Sequence, residues 1–309
     1  MLDTGRKFFA VQTILDLLDK LHENNFNVFH WHLHDSQSFP FPFPADLGLT
    51  NASIRHSHTR EYYSQTDIQN VVAHGKQLGI MVYPETDVPG HSDIWGLWKE
   101  HLVVGKPDVK EPHAQLDIRT NNTEVYDNIE SLYKTVDESF GSPVHHFGGD
   151  EVAYIWHTKD DNKLFHSFLN WLKTLAKDKD LILWDDPLTD DDKDIKLHKD
   201  WIIQTWHNGV TRSVLNKGHK VIVSEMDSFY IGNASASTIS SFEFPRHRNV
   251  LGFEVVWFTA DTDEDSDINQ NWIMEPIRAA SLLRRSLDFE DGGMFEQPHQ
   301  HDDGCCIVS

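Results

Sequence analysis

Two consecutive acids, Asp150 and Glu151, close the run His146-Phe147-Gly148-Gly149-Asp150-Glu151. Carboxylates serve as acids, bases and charge stabilisers, and a pair divides these jobs when its surroundings separate the two pKa values. Adjacent side chains at a strand's end point in different directions, so each reaches a different part of one ligand. The two glycines permit a sharp turn and a close ligand approach. An acidic turn after a strand is the plain alternative; the paired glycines and the flanking His and aromatic residues favour a site.

Other residues that could do chemistry recur wherever a β-like run ends: Asp3 and Arg6; His32, His34 and Asp35; Glu85, Asp87 and His91; Trp184 and Asp185; Trp206; Tyr230; Glu254 and Trp257. The runs carrying them are short and apolar or β-branched, and they alternate with helical periodicity. Strands are expected at 1–4, 27–32, 80–84, 144–147, 181–184, 201–206, 220–224 and 250–257. Helices are expected at 11–21, 67–78, 125–140, 164–176, 212–216 and 272–287, and 39–65 reads as a long polar, Pro-rich loop. Eight β/α steps point to a (β/α)8 TIM barrel, whose active site lies at the C-terminal ends of its strands. The chain opens already resembling a strand's end, so the barrel is expected to be truncated at its N-terminal edge. It is assigned 1–290 as the catalytic barrel and 291–309 as a disordered tail. An open doubly wound sheet is the alternative, but nothing resembles a Gly-rich nucleotide loop.

The 309 residues include 10 Trp and 18 Phe, enough for a large core, and carry a formal charge of −22. That charge argues against nucleic acid and anionic membranes as partners. No stretch approaches the roughly 18 apolar residues of a membrane span, and no signal peptide is evident. Cys305 and Cys306 are too near the end to staple the fold; the last four residues fit a prenylation box, though a frayed tail accounts for them as well. Acceptor sequons at Asn51, Asn121 and Asn233 pull instead towards a glycoprotein of a secretory compartment, but three also arise by chance in a chain this long, so these motifs leave the compartment open.

Carboxylates, an arginine and several indoles at a barrel mouth suit a sugar, whose C–H face packs on indoles while its hydroxyls bind charged groups. Most retaining glycosidases oppose two carboxylates about 5 Å apart. Consecutive acids fit better if the substrate supplies its own nucleophile. At this point the chain resembles the β-N-acetylhexosaminidases of glycoside hydrolase family 20. The likeness rests on Asp3-Thr4-Gly5-Arg6-Lys7-Phe8, on the segment from His30 to Pro40, on Pro84-Glu85-Thr86-Asp87-Val88-Pro89-Gly90-His91-Ser92, and on His146 to Val152, all in register.

The resemblance implies release of terminal β-linked N-acetylhexosamine (GlcNAc or GalNAc) from a glycoconjugate, with retention, through an oxazolinium intermediate and without a cofactor or metal. It makes Glu151 the general acid/base and Asp150 the residue that orients the 2-acetamido group. Asp35 and His91 become a pair supporting Glu151. Tyr230 bonds the acetamido oxygen, Trp184, Trp206 and Trp257 form aromatic walls, and Arg6 binds ring hydroxyls. A lysosomal or secreted location follows from the same likeness, and a homodimer is compatible with it. Two departures bear on sugar specificity: Tyr230-Ile231-Gly232 where the family has Tyr-Leu-Asp, and Trp257-Phe258-Thr259 where it has Trp-Gly-Glu.

Two other classes compete. His30 and His32 share a strand face, and with His91, His145, His146 and Asp35 they could hold a metal for a barrel hydrolase. A barrel that grips N-acetylated sugars without cutting them is the other, given Gly232 and Thr259.

Overall fold

The structure is a computed structural model that describes residues 1–43, 48–57, 61–190 and 195–287. The tail 291–309, with Cys305 and Cys306, lies outside the described residues. Eight parallel strands form one sheet in chain order: Leu2–Asp3, Val28–His32, Met81–Glu85, Val144–His146, Asp180–Trp184, Ile202–Thr205, Lys220–Val223 and Val250–Phe253. The sheet closes on itself. Asp3 N–H donates to the Trp257 carbonyl at 3.0 Å and Trp257 N–H to the Met1 carbonyl at 3.1 Å, which removes the free edges. The expected barrel is therefore the fold.

Alternation along the strands sorts the interior into layers. Tyr83, Val144, Ile182, Ile202 and Ile222 meet in one buried apolar cluster on the barrel axis. Two residues further along the same strands stand Glu85, His146, Trp184, Gln204 and Ser224, all buried. Side chains repeat every second residue on a strand, so this apolar layer is the floor on which a polar layer is held at the C-terminal ends.

Outer helices cover the sheet where expected, at Val11–Glu23, Gln65–Gln77, Thr123–Phe140, Lys159–Leu175, Thr211–Asn216 and Asn271–Ser286. Ser64 opens the Gln65–Gln77 helix with a capping box, its hydroxyl accepting from Asp67 N–H while the Asp67 carboxylate accepts from Ser64 N–H. Between the fifth and sixth strands the described residues form only the one-turn helix Asp186–Thr189. No helix among the described residues is long and apolar enough to cross a membrane.

Two expectations need correction, at 39–65 and at the last strand, and the segment after the third strand, for which none was stated, has structure of its own. The segment read as loop contains the helix Gly48–Ser57. The loop after the third strand folds into the helix Asp93–Trp98 and a small antiparallel ladder, Val103–Val104 with Gln115–Leu116. The last strand ends at Phe253 rather than 257, because beyond it the chain makes isolated bridges, Val256 to Tyr230 and Trp257 to Leu2, instead of a continuous ladder.

Helix Gln65–Gln77 packs tightly on its strand through Gly75, where a methyl group would meet Val82 Cγ2 at 2.6 Å and the Ile80 carbonyl oxygen at 3.0 Å. Helix propensity alone favours Gly75→Ala by about 1 kcal/mol. The contact with backbone outweighs it, and the substitution is expected to destabilise by about 1–3 kcal/mol, read as a lower urea midpoint.

Candidate active site

The polar layer is organised by buried carboxylates that each meet several donors. Glu85 lies with Oε2 2.7 Å from His32 Nδ1 and accepts the Trp184 indole N–H at 2.8 Å on Oε1. Glu254, from the chain just past the last strand, meets His30 Nδ1 at 2.8 Å and accepts from Tyr83 and Gln204. Burial alone would raise both carboxyls. The imidazoles of His146, His32 and His30 hold Glu85 well below the usual range, and His30 leads in bringing Glu254 to about 2.

Asp35 carries this network to the mouth. Its Oδ2 is 2.9 Å from both His32 Nε2 and Arg6 Nη1, and its Oδ1 is 3.2 Å from His91 Nδ1. Arg6 reaches this point because Asp3 Oδ1 accepts the N–H groups of Gly5 and Arg6 while Asp3 Oδ2 pairs with the guanidinium at 2.9 Å. His91 then faces the acids: its Nε2 lies 3.3 Å from Asp150 Oδ2 and 3.5 Å from Glu151 Oε2, aligned for a hydrogen bond to neither. Burial disfavours a charged His91, but Asp35, Asp150 and Asp87 overcome it and raise its pKa well above the ordinary histidine value.

The two acids diverge as their spacing implies. Gly148, Gly149 and Glu151 all have positive φ, with Glu151 at 52°. That left-handed turn is uncommon for a residue with a side chain and persists only where its surroundings hold it. Two contacts do so: the Glu151 N–H donates to Asp186 Oδ1 at 2.9 Å, and its carbonyl accepts from the Gln115 amide at 2.9 Å. The Glu151 side chain is 37% exposed, and burial, with Asp150, raises its pKa against the opposing pull of His91 and Arg6. Asp150 is 13% exposed; its Oδ1 is buried and accepts no hydrogen bond from the described residues. Asp87 sits behind them, its Oδ1 accepting from Gly149 N–H at 3.1 Å, and burial and Asp150 push its carboxyl well up.

Aromatic residues ring this cluster. Trp184 packs 6.1 Å from Phe258, and Tyr230 lies 5.4 Å from the same ring. The Tyr230 hydroxyl is raised well above its usual pKa by burial and by Asp150, Asp185, Glu85 and Asp186. Trp206 donates its indole N–H to Asp186 Oδ2 at 2.7 Å and packs against His207 at 3.8 Å with the rings tilted by 32°.

A metal could be considered at Asp3, His32 and Asp35, at Asp87, His91 and Asp150, or at His30, Glu85 and His146, whose ligand atoms lie within 4.8 Å of one another. The first set already holds the Arg6 guanidinium on two of its three members, which opposes a cation there. His145 does not join the others: its ring meets Thr86 Oγ1 at 2.7 Å and packs on Phe147 and Tyr133, outside the barrel axis.

The sequence profile described as glycosyl hydrolase family 20, catalytic domain, matches residues 1–269. The chain belongs to glycosyl hydrolase family 20. It is 30% identical over 240 residues to beta-hexosaminidase subunit A1 of Dictyostelium discoideum, covering 72% of this chain and 44% of that one. It is 33% identical over 267 residues to the chitooligosaccharidolytic beta-N-acetylglucosaminidase of Bombyx mori, covering 74% and 44%. The crystal structure of the family 20 exo beta-N-acetylglucosaminidase from Vibrio harveyi superposes with a TM-score of 0.77 at 19% identity, over 91% of this chain and 53% of that one. The family 20 chain thus spans less than half the length of these two curated relatives.

Of the residues singled out in the sequence, Arg6, Asp35, His91, Asp150 and Glu151 form one connected cluster, with Trp184, Trp206 and Tyr230 on its margins. Trp257 does not join them. It is 3% exposed and packs on Phe9 at 5.2 Å and Trp272 at 5.5 Å, towards the outer helices. Alternation explains this: Glu254 points inward to His30, so three residues on Trp257 points outward and Phe258 inward. Thr259 turns to Asp3, donating to its carbonyl at 3.2 Å. Asp186 and Phe258 were missed. The Trp-Asp-Asp run at 184–186 held a signal for the first, and the same alternation for the second.

Gly148 cannot carry a side chain here: at φ 65° a methyl group would meet Asp87 Oδ1 at 1.9 Å. Gly148→Ala is expected to cost about 2–4 kcal/mol in a denaturant titration, since it combines a strained φ with a buried clash.

Proposed function

We propose that the protein is a retaining β-N-acetylhexosaminidase that uses the substrate's own 2-acetamido group as nucleophile. The observation that carries this is Asp150 Oδ1, a buried acceptor without a donor among the described residues, one residue from the more exposed Glu151. Buried acceptors take a partner where one is available, and an acetamido N–H is a donor of the right kind. The names of the relatives, beta-hexosaminidases and a beta-N-acetylglucosaminidase, support the same substrate class.

In this reading the acetamido carbonyl oxygen attacks C1 as the glycosidic C–O bond breaks. Glu151 gives its proton to the departing oxygen. The oxazolinium ring carries its positive charge on the nitrogen, and Asp150 balances it through the N–H. Water then attacks C1, Glu151 takes its proton, and the ring opens to the acetamide with the β configuration retained. Burial serves Glu151 by keeping it protonated, while His91 favours its anion, as the second half requires.

An acid matters in proportion to the leaving group's need of a proton. Glu151→Gln is expected to lower kcat/KM by about 100-fold or more on alkyl or sugar aglycones and by less than about 10-fold on a dinitrophenyl glycoside. Equal losses on both would remove Glu151 from the role.

The His91→Gln variant tests the electrostatics. The alkaline limb of kcat/KM reports loss of the acid's proton, and a charged His91 promotes that loss. Without it the limb should move to higher pH while the maximum rate falls. A limb that stays in place or moves down separates His91 from the acid.

A further inference from the structure

Phe258 stands at a single point among Arg6, Tyr230 and Trp184, the groups the family resemblance assigns to the sugar, with His32 beside them. Its ring lies 4.9 Å from the Arg6 guanidinium carbon, 5.4 Å from the Tyr230 ring, 5.6 Å from His32 and 6.1 Å from Trp184. If Arg6 binds ring hydroxyls, Tyr230 the acetamido oxygen and Trp184 the acetamido methyl, then one pyranose must touch all three. A phenyl ring and a pyranose are of similar width, and here the phenyl is the body that touches all three. Trp184 is accordingly 1% exposed, although a wall of a sugar pocket must be reachable by the sugar. The chain has Phe at the position where the resemblance has glycine, which has no side chain to put there.

We propose that Phe258 is a specificity-determining residue whose side chain occupies the subsite for the non-reducing N-acetylhexosamine, so that a sugar binds only when this ring swings aside. The inference rests on the hexosaminidase reading of Arg6, Tyr230 and Trp184. The ring acts as an internal competitor. Affinity for any ligand of the subsite is reduced by the fraction of molecules in which the ring is out, while the acids, held by Asp35, His91 and Asp186, are unchanged by its position. Selection should consequently fall on how much of the sugar the vacated space admits, and large ring substituents should suffer most.

The test is Phe258→Ala in the full chain, with Phe258→Leu as a second variant that keeps most of the packing. Calorimetry with N-acetylglucosamine-thiazoline, a cyclised analogue of the oxazolinium, reads the subsite directly. Removing the competitor should tighten its binding by about 10-fold or more and raise kcat/KM on a chromogenic N-acetylglucosaminide to a similar degree, mostly through KM. The Leu variant should fall between the parent and Ala. Binding that is unchanged or weaker in either folded variant overturns the inference, since the ring would then be part of the binding surface. Should Ala not fold, the Leu variant decides alone by the same criterion. The two readings fail separately. Tighter thiazoline binding without turnover by any form sinks the enzyme and leaves the competitor. Turnover by the parent with no gain in the variants does the reverse, and variants that neither bind nor cleave sink both.

Discussion

One buried carboxylate, that of Asp35, ties together three parts of the barrel. Its two oxygens meet a guanidinium from the loop after the first strand, an imidazole from the second strand and an imidazole from the loop after the third. Each of those cations is itself buried or nearly so, and none could stay there charged without an anion beside it. The arrangement is mutual. Burial alone would push the Asp35 carboxyl up, yet Arg6, His91 and His32 hold it well below the ordinary range. Taking away one member of such a set leaves the others as unpaired buried charges, typically costing about 3–5 kcal/mol. Asp35 also places His91, whose Nε2 faces Asp150 and Glu151, while the turn that carries the two acids is held separately by Asp186 and Gln115.

The charged layer can exist because of the apolar layer beneath it. Tyr83, Val144, Ile182, Ile202 and Ile222 fill the axis with apolar side chains. In that low-dielectric setting the ion pairs above are strong enough to set protonation states. The two neighbouring acids differ in their surroundings. Glu151 gains its raised pKa from burial, while Asp150 offers a buried oxygen for a donor to meet. A single turn, left-handed at three of its four residues from Gly148 to Glu151, thereby creates two different carboxyl environments.

Much of this is legible in the sequence, and what is not has physical causes. The eight strands and the principal helices stand out because burial on one or both faces imposes a period. The helix Gly48–Ser57 does not, since it has a weak apolar stripe and follows a Pro-rich approach. The cluster of Arg6, Asp35, His91, Asp150 and Glu151 could be assembled because each member ends a strand. Trp257 was placed in it by type rather than by direction: an indole at a strand's end serves a site on one face of the sheet and a core on the other. Asp186 escaped notice because its role is to accept two N–H groups, and the sequence does not reveal which donors the fold brings to an acid.

Asp186 also has a mechanical meaning. One oxygen holds the main chain of Glu151 in its left-handed turn, and the other holds the indole of Trp206, a residue from a different strand. At 3% exposed the carboxylate has little freedom to let go of one donor while keeping the other. The Trp206 indole and the Glu151 main chain are consequently not separate moving parts. They form one lever with Asp186 as its fulcrum, so a displacement of the indole is felt as a torque on the peptide that carries the Glu151 carboxyl.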